Sequence, residues 1–225
     1  MNAITRFFSQ LFGALGAHRP APQGQVLSIT ELKEQQVSWL VVGLGNPGEQ
    51  YAATRHNVGY MAIDDLLAAN GDTLQPVAGA KSQGAVVCVE DQKVLALRST
   101  TFMNLSGEGV GPLAKSLGVA PERVIVIHDE LDLPAHKVRI KQGGNENGHN
   151  GLKSITEHLG TREYPRVRIG ISRPPKETPI PDYVLGPVDS SAGFDQAIAL
   201  AAAAARAIVS QGISRAQNDI HSRSK

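Results

Sequence analysis

Cysteine is almost missing from this chain, Cys88 being the only one among 225 residues. A single thiol excludes an intramolecular disulfide and a thiolate metal cluster, and it suits a reducing cytosol. We therefore expect a cytoplasmic protein. Long apolar runs are also missing, and none approaches the length of a membrane span. Residues 4–17 have the pattern of an amphipathic helix, but their apolar stretch is too short for a secretory signal peptide.

A large excess of either charge is missing as well, because the formal net charge is +1. The distribution is uneven, however. Between Leu133 and Lys176, nine Lys or Arg residues stand against three acidic residues. Such a basic region on an otherwise acidic chain suits a polyanion such as a nucleic acid. A solvated charged face accounts for the same count, and charge alone favours that simpler explanation.

Length and composition predict one folded domain with an appendage. Pro20, Pro22 and Gly24 separate the amphipathic start from a polar segment rich in Glu, Lys and Gln. We therefore expect residues 1–38 to form a flexible N-terminal extension that makes no membrane contact. Residues 39–225 then form the folded domain.

Periodicity and turn signals predict the order of the elements. The predicted strands are residues 39–42, 84–90, 93–98, 123–128, 137–141 and 166–171. The predicted helices are residues 58–69, 105–117, 152–159 and a long Ala-rich helix that Asp189 or Ser190 caps and that ends near Gly212. Strands and helices alternate, and the two strands around Asp91 and Gln92 read as a hairpin. The predicted fold class is therefore α/β, a single domain with a mixed sheet flanked by helices on both faces.

The segment Gly43–Gly59 follows the first strand and reads GLGNPGEQYAATRHNVG. Its glycines spell G-x-G-x-x-G, the pattern of a dinucleotide-binding turn. That interpretation needs a helix beginning at the third glycine and an acidic residue ending the next strand, and the sequence supplies neither. No Gly-Lys-Ser/Thr follows, which excludes a P-loop.

A hydrolytic site is the competing interpretation of the same segment. His56 can act as a general base near neutral pH, and Asp129, just beyond the end of a buried strand, can hold its ring. Three amides, Asn46, Asn104 and Asn150, fall at strand ends or helix starts, where they can donate to a carbonyl oxygen. Each residue alone also fits an ordinary role, such as a helix cap or turn former. These residues by themselves therefore leave a hydrolase and a polyanion-binding protein both open.

Five segments together carry a family resemblance. They are GLGNPGEQYAATRHNVG (43–59), TTFMNLSG (100–107), HDELDLP (128–134), GHNGLKSI (148–155) and RVRIGISRP (166–174). In this order and spacing the chain resembles bacterial peptidyl-tRNA hydrolase from about Trp39 to the C-terminal tail. The resemblance implies hydrolysis of the ester between a peptide and the 3′ end of tRNA, as in rescue of tRNA from stalled ribosomes. It implies a monomer without a metal or organic cofactor, whose partner is peptidyl-tRNA and not DNA.

The resemblance also assigns roles to residues. His56 matches the general base, Asp129 the carboxylate that orients it, and Asn46 the amide that helps to separate peptidyl from free aminoacyl substrates. The predicted substrate contacts are Tyr51, Phe102, Asn104 and Asn150 for the tRNA end or peptide, Met103 and His149 in the same cleft, and Lys141 and Arg168 for tRNA phosphate.

Two departures from the family pattern stand out. Where many relatives have glycines and small residues, this chain has Asn145-Glu146-Asn147, which adds a negative charge beside the proposed phosphate site. The first 38 residues have no counterpart in the compact form of the family.

Two alternatives come from other functional classes. A non-catalytic module that binds tRNA or another RNA explains the basic strands, but it leaves His56 and Asp129 without a role. A metal hydrolase would use His128, Asp129, Glu130 and Asp132. Neighbouring side chains on a strand point to opposite faces, so this set is not expected to converge on one ion.

Overall fold

The computed structural model describes residues 26–189 and 191–224. The predicted amphipathic start at residues 4–17 lies outside the described residues, and so does Ser190, one of the two predicted caps of the Ala-rich helix. The remaining predictions can be compared with the structure element by element.

In the described part of the chain, seven strands form one mixed sheet. They are β1 (Trp39–Gly43), β2 (Gln75–Pro76), β3 (Ser82–Val89), β4 (Gln92–Ser99), β5 (Val124–Glu130), β6 (Val138–Gln142) and β7 (Pro165–Gly170). The order across the sheet is β2-β3-β4-β1-β5-β7-β6. Strands β4, β1, β5 and β7 run parallel, whereas β2, β3 and β6 pair antiparallel with their neighbours. The predicted hairpin is β3 and β4, and the predicted mixed sheet is confirmed.

Within residues 26–189 and 191–224 the chain forms seven α-helices. They are α1 (Ile29–Glu34), α2 (Val58–Ala68), α3 (Ser106–Leu117), α4 (Asn150–Leu159), α5 (Ile180–Val184), α6 (Ala192–Gln211) and α7 (Ile213–Arg223). Residues of α2, α6 and α7 form one apolar core with the sheet, and residues of α1, α3 and α4 form a second core on the opposite face. This arrangement confirms the predicted single-domain, three-layer α/β/α architecture.

Helices α3 and α4 pack unusually close to each other at two glycines. A β-carbon at Gly107 would lie 2.1 Å from the backbone oxygen of Ser154, and one at Gly111 would lie 2.6 Å from the side chain of His158. Glycine weakens a helix by about 1 kcal/mol per residue relative to alanine. Here the missing side chains let α4 lie directly against α3.

The N-terminal boundary of the domain lies upstream of the predicted residue 39. The backbone N–H of Leu27 donates to the Pro76 carbonyl at 2.9 Å, and α1 begins with a capping box formed by Ser28 and Glu31. Leu32 and Val37 are buried in the second core. Residues 26–38 were predicted to belong to a flexible extension and are instead packed on the domain. Their sequence looked polar because α1 buries only Leu32.

Helix α6 differs from its prediction at its N-terminus. Its cap is Ser191, whose hydroxyl accepts from the Phe194 N–H, while the Asp189 carboxylate accepts from the Ser191 N–H. In length and composition alone this helix could cross a membrane, contrary to the expectation that no run approaches that length. Its buried face, including Ala201 and Ala205, belongs to the core of this domain.

Candidate active site

The segment between β1 and α2 brings two separate stretches of backbone into contact. A β-carbon at Gly43 would lie 2.2 Å from the Gly59 carbonyl oxygen, and one at Gly59 would lie 2.5 Å from the Leu44 nitrogen. Only glycine permits this approach. Two short 3₁₀ turns, Glu49–Tyr51 and Arg55–Asn57, follow, and α2 begins only at Val58. Since no helix begins at the third glycine, the segment lacks the geometry of a dinucleotide-binding turn.

His56 and Asp129 meet as predicted, although they are 73 positions apart. The Nδ1 of His56 lies 2.9 and 3.0 Å from the two carboxylate oxygens of Asp129. A carboxylate can only accept, so Nδ1 carries the proton and Nε2 is the nitrogen that can take another. Burial of the ring lowers the pKa of His56, but the charge and hydrogen bond of Asp129 outweigh burial and raise that pKa overall.

Asp129 lies within β5, whereas the sequence placed it just beyond the end of the strand. The strand continues because Asp129 and Glu130 still pair with Ile169 and Gly170 of β7. Asp129 is buried, and burial raises the pKa of its carboxyl group. The charges and hydrogen bonds of His56 and His149 reverse that effect and hold this pKa well below its usual range. Asp129 is therefore a permanent anion at neutral pH.

His149 is a second imidazole on the same carboxylate. Its Nε2 lies 3.1 Å from the Asp129 Oδ1, and its Nδ1 accepts from the backbone N–H of Leu152 at the start of α4. His149 was predicted only to line the cleft, so the sequence missed its contact with Asp129. Its position directly before a helix was the available signal, because a residue there can cap the first turn.

The set of His128, Asp129, Glu130 and Asp132, which the metal-hydrolase alternative would use, was not expected to converge on one ion. Among the described residues, the one group of three side chains with metal-ligand geometry is His56, Asp129 and His149, whose ligand atoms lie within 4.8 Å of one another. In that group the imidazole N–H groups already donate to Asp129. His128 is buried beside it, and burial with the nearby His149 lowers the pKa of His128 to about 3. His128, Glu130 and Asp132 therefore do not join Asp129 around an ion.

Asn46 is held in one orientation by three hydrogen bonds. Its Oδ1 accepts from the backbone N–H of Met103 at 2.8 Å, and the Asn57 side chain bonds both the N–H and the carbonyl of Asn46 at 2.9 Å. Because Oδ1 is occupied, the amide presents its Nδ2 donor to a ligand. The sequence analysis assigned no role to Asn57, and the structure shows that its side chain holds the backbone of Asn46.

A cavity of about 410 Å³ opens over the His56 and Asp129 pair. Asn46, His149 and Asn150 also line it, and one wall is the apolar helix α5. This wall is fixed to the segment that carries His56, because the guanidinium of Arg55 donates to the Tyr183 carbonyl at 3.1 Å and lies 4.3 Å from the centre of the Tyr183 ring.

The other predicted substrate contacts lie outside that lining. Phe102 is 54% exposed and meets Tyr51 edge to face at 6.3 Å, and Asn104 is exposed nearby. Met103 was predicted to line the cleft and is instead buried, so that it contributes its backbone N–H to Asn46. The structure thus pairs an exposed Phe102 with a half-buried Tyr51, and it buries Met103.

Most of the arginines in the basic region have protein partners. Arg139 donates to the Ser224 carbonyl, Arg162 pairs with Glu146, Arg166 donates to the carbonyls of Gly144 and Asn145, and Arg173 pairs with Asp132. Arg166 is buried. Lys141 and Arg168 lie on the neighbouring strands β6 and β7, and Arg168 is 3.7 Å from Glu130. The count of nine cations therefore overstates the charge available to a ligand.

The unusual loop at residues 145–147 places its acid inward. Glu146 is buried, and its carboxylate accepts from Thr156 at 2.9 Å and from Arg162 at 2.7 Å. Burial raises the pKa of Glu146, but these hydrogen bonds outweigh it and lower the pKa overall. The backbone carbonyl of Glu146 also accepts from the His149 N–H. The extra negative charge is thus neutralised inside the protein, and the loop is fastened directly before His149.

Comparisons with known proteins agree on one family. A family model described as peptidyl-tRNA hydrolase matches residues 40–225. Peptidyl-tRNA hydrolase 2 of Corynebacterium glutamicum is 62% identical over 186 residues, which cover 82% of this chain and 88% of the relative. The corresponding protein of Corynebacterium jeikeium is 49% identical over 203 residues, covering 88% of this chain and 85% of the relative. The crystal structure of peptidyl-tRNA hydrolase from Acinetobacter baumannii superposes with a TM-score of 0.76 at 36% identity, covering 83% of this chain and 95% of that chain.

Proposed function

Since this chain belongs to the peptidyl-tRNA hydrolase family, we propose that His56 and Asp129 are the catalytic pair with which it cleaves the ester of peptidyl-tRNA. The chain is an enzyme with peptidyl-tRNA hydrolase activity. The observation that carries the proposal is the hydrogen bond from the Nδ1 of His56 to a buried carboxylate. That bond assigns Nε2 of a cavity-lining ring to proton transfer.

In the proposed reaction, water attacks the ester carbonyl while His56 Nε2 takes one of its protons. The tetrahedral intermediate then expels the ribose oxygen, which receives that proton from the imidazolium. The products are a peptide with a free carboxyl group and tRNA with its 3′ end restored. Asp129 stays ionised throughout and stabilises the imidazolium, as the carboxylate of a catalytic triad does. An ester needs no covalent Ser or Cys nucleophile and no metal for this step.

Asn46 supplies the donor for the developing oxyanion in this proposal. Its amide orientation is set before substrate binds, because Met103 occupies Oδ1 and Asn57 holds the backbone. A preorganised donor stabilises the transition state without reorganisation during the reaction. Asn150 lies at the mouth of the same cavity, and we assign it and Asn104 to positioning the acceptor end.

Lys141 and Arg168 bind tRNA phosphate in this proposal, with Tyr51 and Phe102 as aromatic contacts for the tRNA end or the peptide. Phosphate contacts position a nucleic acid without reading its bases, which suits an enzyme that acts on every tRNA. The inward orientation of Glu146 supports this role because it removes the negative charge expected beside the two cations. A binding module without catalysis leaves the buried His56 and Asp129 pair unexplained.

We also propose that the enzyme works as a monomer in the cytosol, without a metal or organic cofactor. The thiol of Cys88 is exposed, which suits a reducing compartment. The catalytic domain in this proposal comprises residues 26–38 together with residues 39–225. Sedimentation velocity measures the oligomeric state directly, and a stable dimer at micromolar concentration would contradict the monomer.

The proposal is tested by release of an N-acetylated amino acid from tRNA in the presence of a chelator. We expect His56→Ala to lower the rate by about 10² to 10⁴, the range for removal of a positioned base. The matched control is His136→Ala, which removes an imidazole 2.6 Å from the Asp189 carboxylate outside the site. An unchanged rate for His56→Ala contradicts the catalytic assignment, and loss of wild-type activity with chelator contradicts the metal-independent mechanism.

A further inference from the structure

A second cavity, of about 240 Å³, lies on the other side of Asn46. The same Asn46 lines both cavities, and Asn57, which follows the catalytic His56, lines the second one. Its remaining wall comes mainly from the β3 and β4 hairpin, through Gln83, Arg98 and Thr100. At ~30 Å³ per water molecule, this space holds roughly eight waters that a ligand can displace. Of the residues that line it, the catalytic roles assigned above use only Asn46 and its support Asn57.

The position of this cavity across the sheet indicates which part of the substrate it meets. The strand order places β7 and β6, with Lys141 and Arg168, on one side of the catalytic strands β1 and β5. The hairpin that lines the second cavity lies on the opposite side of β1. Peptidyl-tRNA has two arms that leave the ester in different directions. When the tRNA phosphates lie over β6 and β7, the peptide lies on the other side of the ester. It then extends past Asn46 toward β4 and β3.

The chemistry of the wall fits a peptide better than a phosphate. Arg98 is the cation of the cavity, and its guanidinium already pairs with Asp64 and donates to the Tyr60 carbonyl at 2.6 Å. Its charge is therefore balanced within the protein. Gln83 and Thr100 are exposed, and their amide and hydroxyl groups can both donate and accept. Neutral groups that donate and accept match the alternating C=O and N–H groups of a peptide backbone.

We propose that this second cavity is a peptide subsite, which binds the backbone of the second and third residues counted from the ester. The inference rests on the proposed function, because the ester must lie between His56 and Asn46. Gln83 and Thr100 then discriminate by peptide length, and they leave the bond-breaking step itself unchanged.

The test compares two substrates of the same tRNA, one with a single N-acetylated residue and one with an N-acetylated tripeptide ending in that residue. Gln83→Ala removes a polar contact, and Gln83→Trp fills the cavity from an exposed strand position. We expect each variant to lower kcat/KM for the tripeptide substrate by about three- to tenfold, the value of one or two polar contacts. The single-residue substrate should react at the wild-type rate, which also demonstrates correct folding.

Gln211→Ala and Gln211→Trp are matched controls, because Gln211 is an exposed glutamine at the end of α6. They should change neither substrate. Equal losses on both substrates for the Gln83 variants overturn the peptide subsite and assign the cavity to the tRNA end or to the fold. No change on either substrate overturns it as well. Failure of the wild type to release either acyl group contradicts the proposed function instead.

Discussion

Replacing Asp129 with asparagine separates the electrostatic role of this residue from its shape. The carboxylate lies 2.9 and 3.0 Å from the Nδ1 of His56 and is buried, so it interacts strongly with the imidazolium that forms during the reaction. Two unit charges at 4 Å and an effective dielectric constant of about 20 attract by roughly 4 kcal/mol. At about 1.4 kcal/mol per tenfold change in rate, Asp129→Asn should lower kcat by about a thousandfold.

The same substitution has a predictable effect on the pH profile. Activity requires neutral His56, so kcat/KM rises with pH through the His56 pKa of the free enzyme. In the native protein Asp129 raises that pKa against the effect of burial. Without the negative charge, burial alone remains and the pKa falls. The midpoint of the profile should therefore move to lower pH in Asp129→Asn.

The assay is steady-state release of an N-acetylated amino acid from tRNA between about pH 5 and 9. Asp189→Asn is the matched control, since Asp189 holds His136 in a similar pair outside the cavity. A loss below tenfold, or a midpoint that stays in place or rises, would refute the assignment of Asp129 as the anion that supports His56.

Two further predictions concern stability and tRNA binding. His128 keeps a pKa of about 3 in the folded protein, whereas its ordinary value is about 6.5. Between these two pH values the unfolded chain binds a proton at His128, whereas the folded protein does not. The free energy of unfolding should therefore fall by roughly 1.4 kcal/mol for each unit by which the pH drops in this range. Denaturant titrations should show a flatter dependence for His128→Phe, and an identical slope would contradict the role of this ring. Lys141→Ala and Arg168→Ala should each weaken binding to all tRNA sequences and lower the log-log salt slope by about one, with the exposed Lys115→Ala as control. A sequence-selective defect would indicate base readout instead.

Local patterns predicted the regular elements well. Continuous apolar residues predicted β5, whose seven residues are all buried, and helical spacing predicted α2 and α4 within two residues at each end. These elements can be predicted because burial on one or both faces gives the apolar residues a regular spacing in the sequence. Helices α1, α5 and α7 were missed. Two of them have six residues or fewer, and α7 is mostly polar.

The partners of the charged side chains could not be predicted from the sequence in the same way. The count of basic residues predicted a polyanion site, yet Arg166 is buried beneath the loop at residues 144–145 and Arg162 neutralises Glu146. A strand in which Arg alternates with Val predicts on which face of the sheet each side chain lies. It does not predict which residue that side chain contacts. The partner comes from a loop 21 or 22 positions away in the chain.

The sequence by itself determined the family, the fold class and the identity of His56, Asp129 and Asn46 as candidates, because strand ends and glycine turns mark where a site can form. Tertiary structure alone decided how those candidates are arranged. It placed two imidazoles on one carboxylate, directed the Nδ1 of His56 toward Asp129, held Asn46 through Asn57, and opened a second cavity beside it. Each of these depends on contacts between residues 11 to 73 positions apart, and only the packing of the sheet and its helices sets such distances.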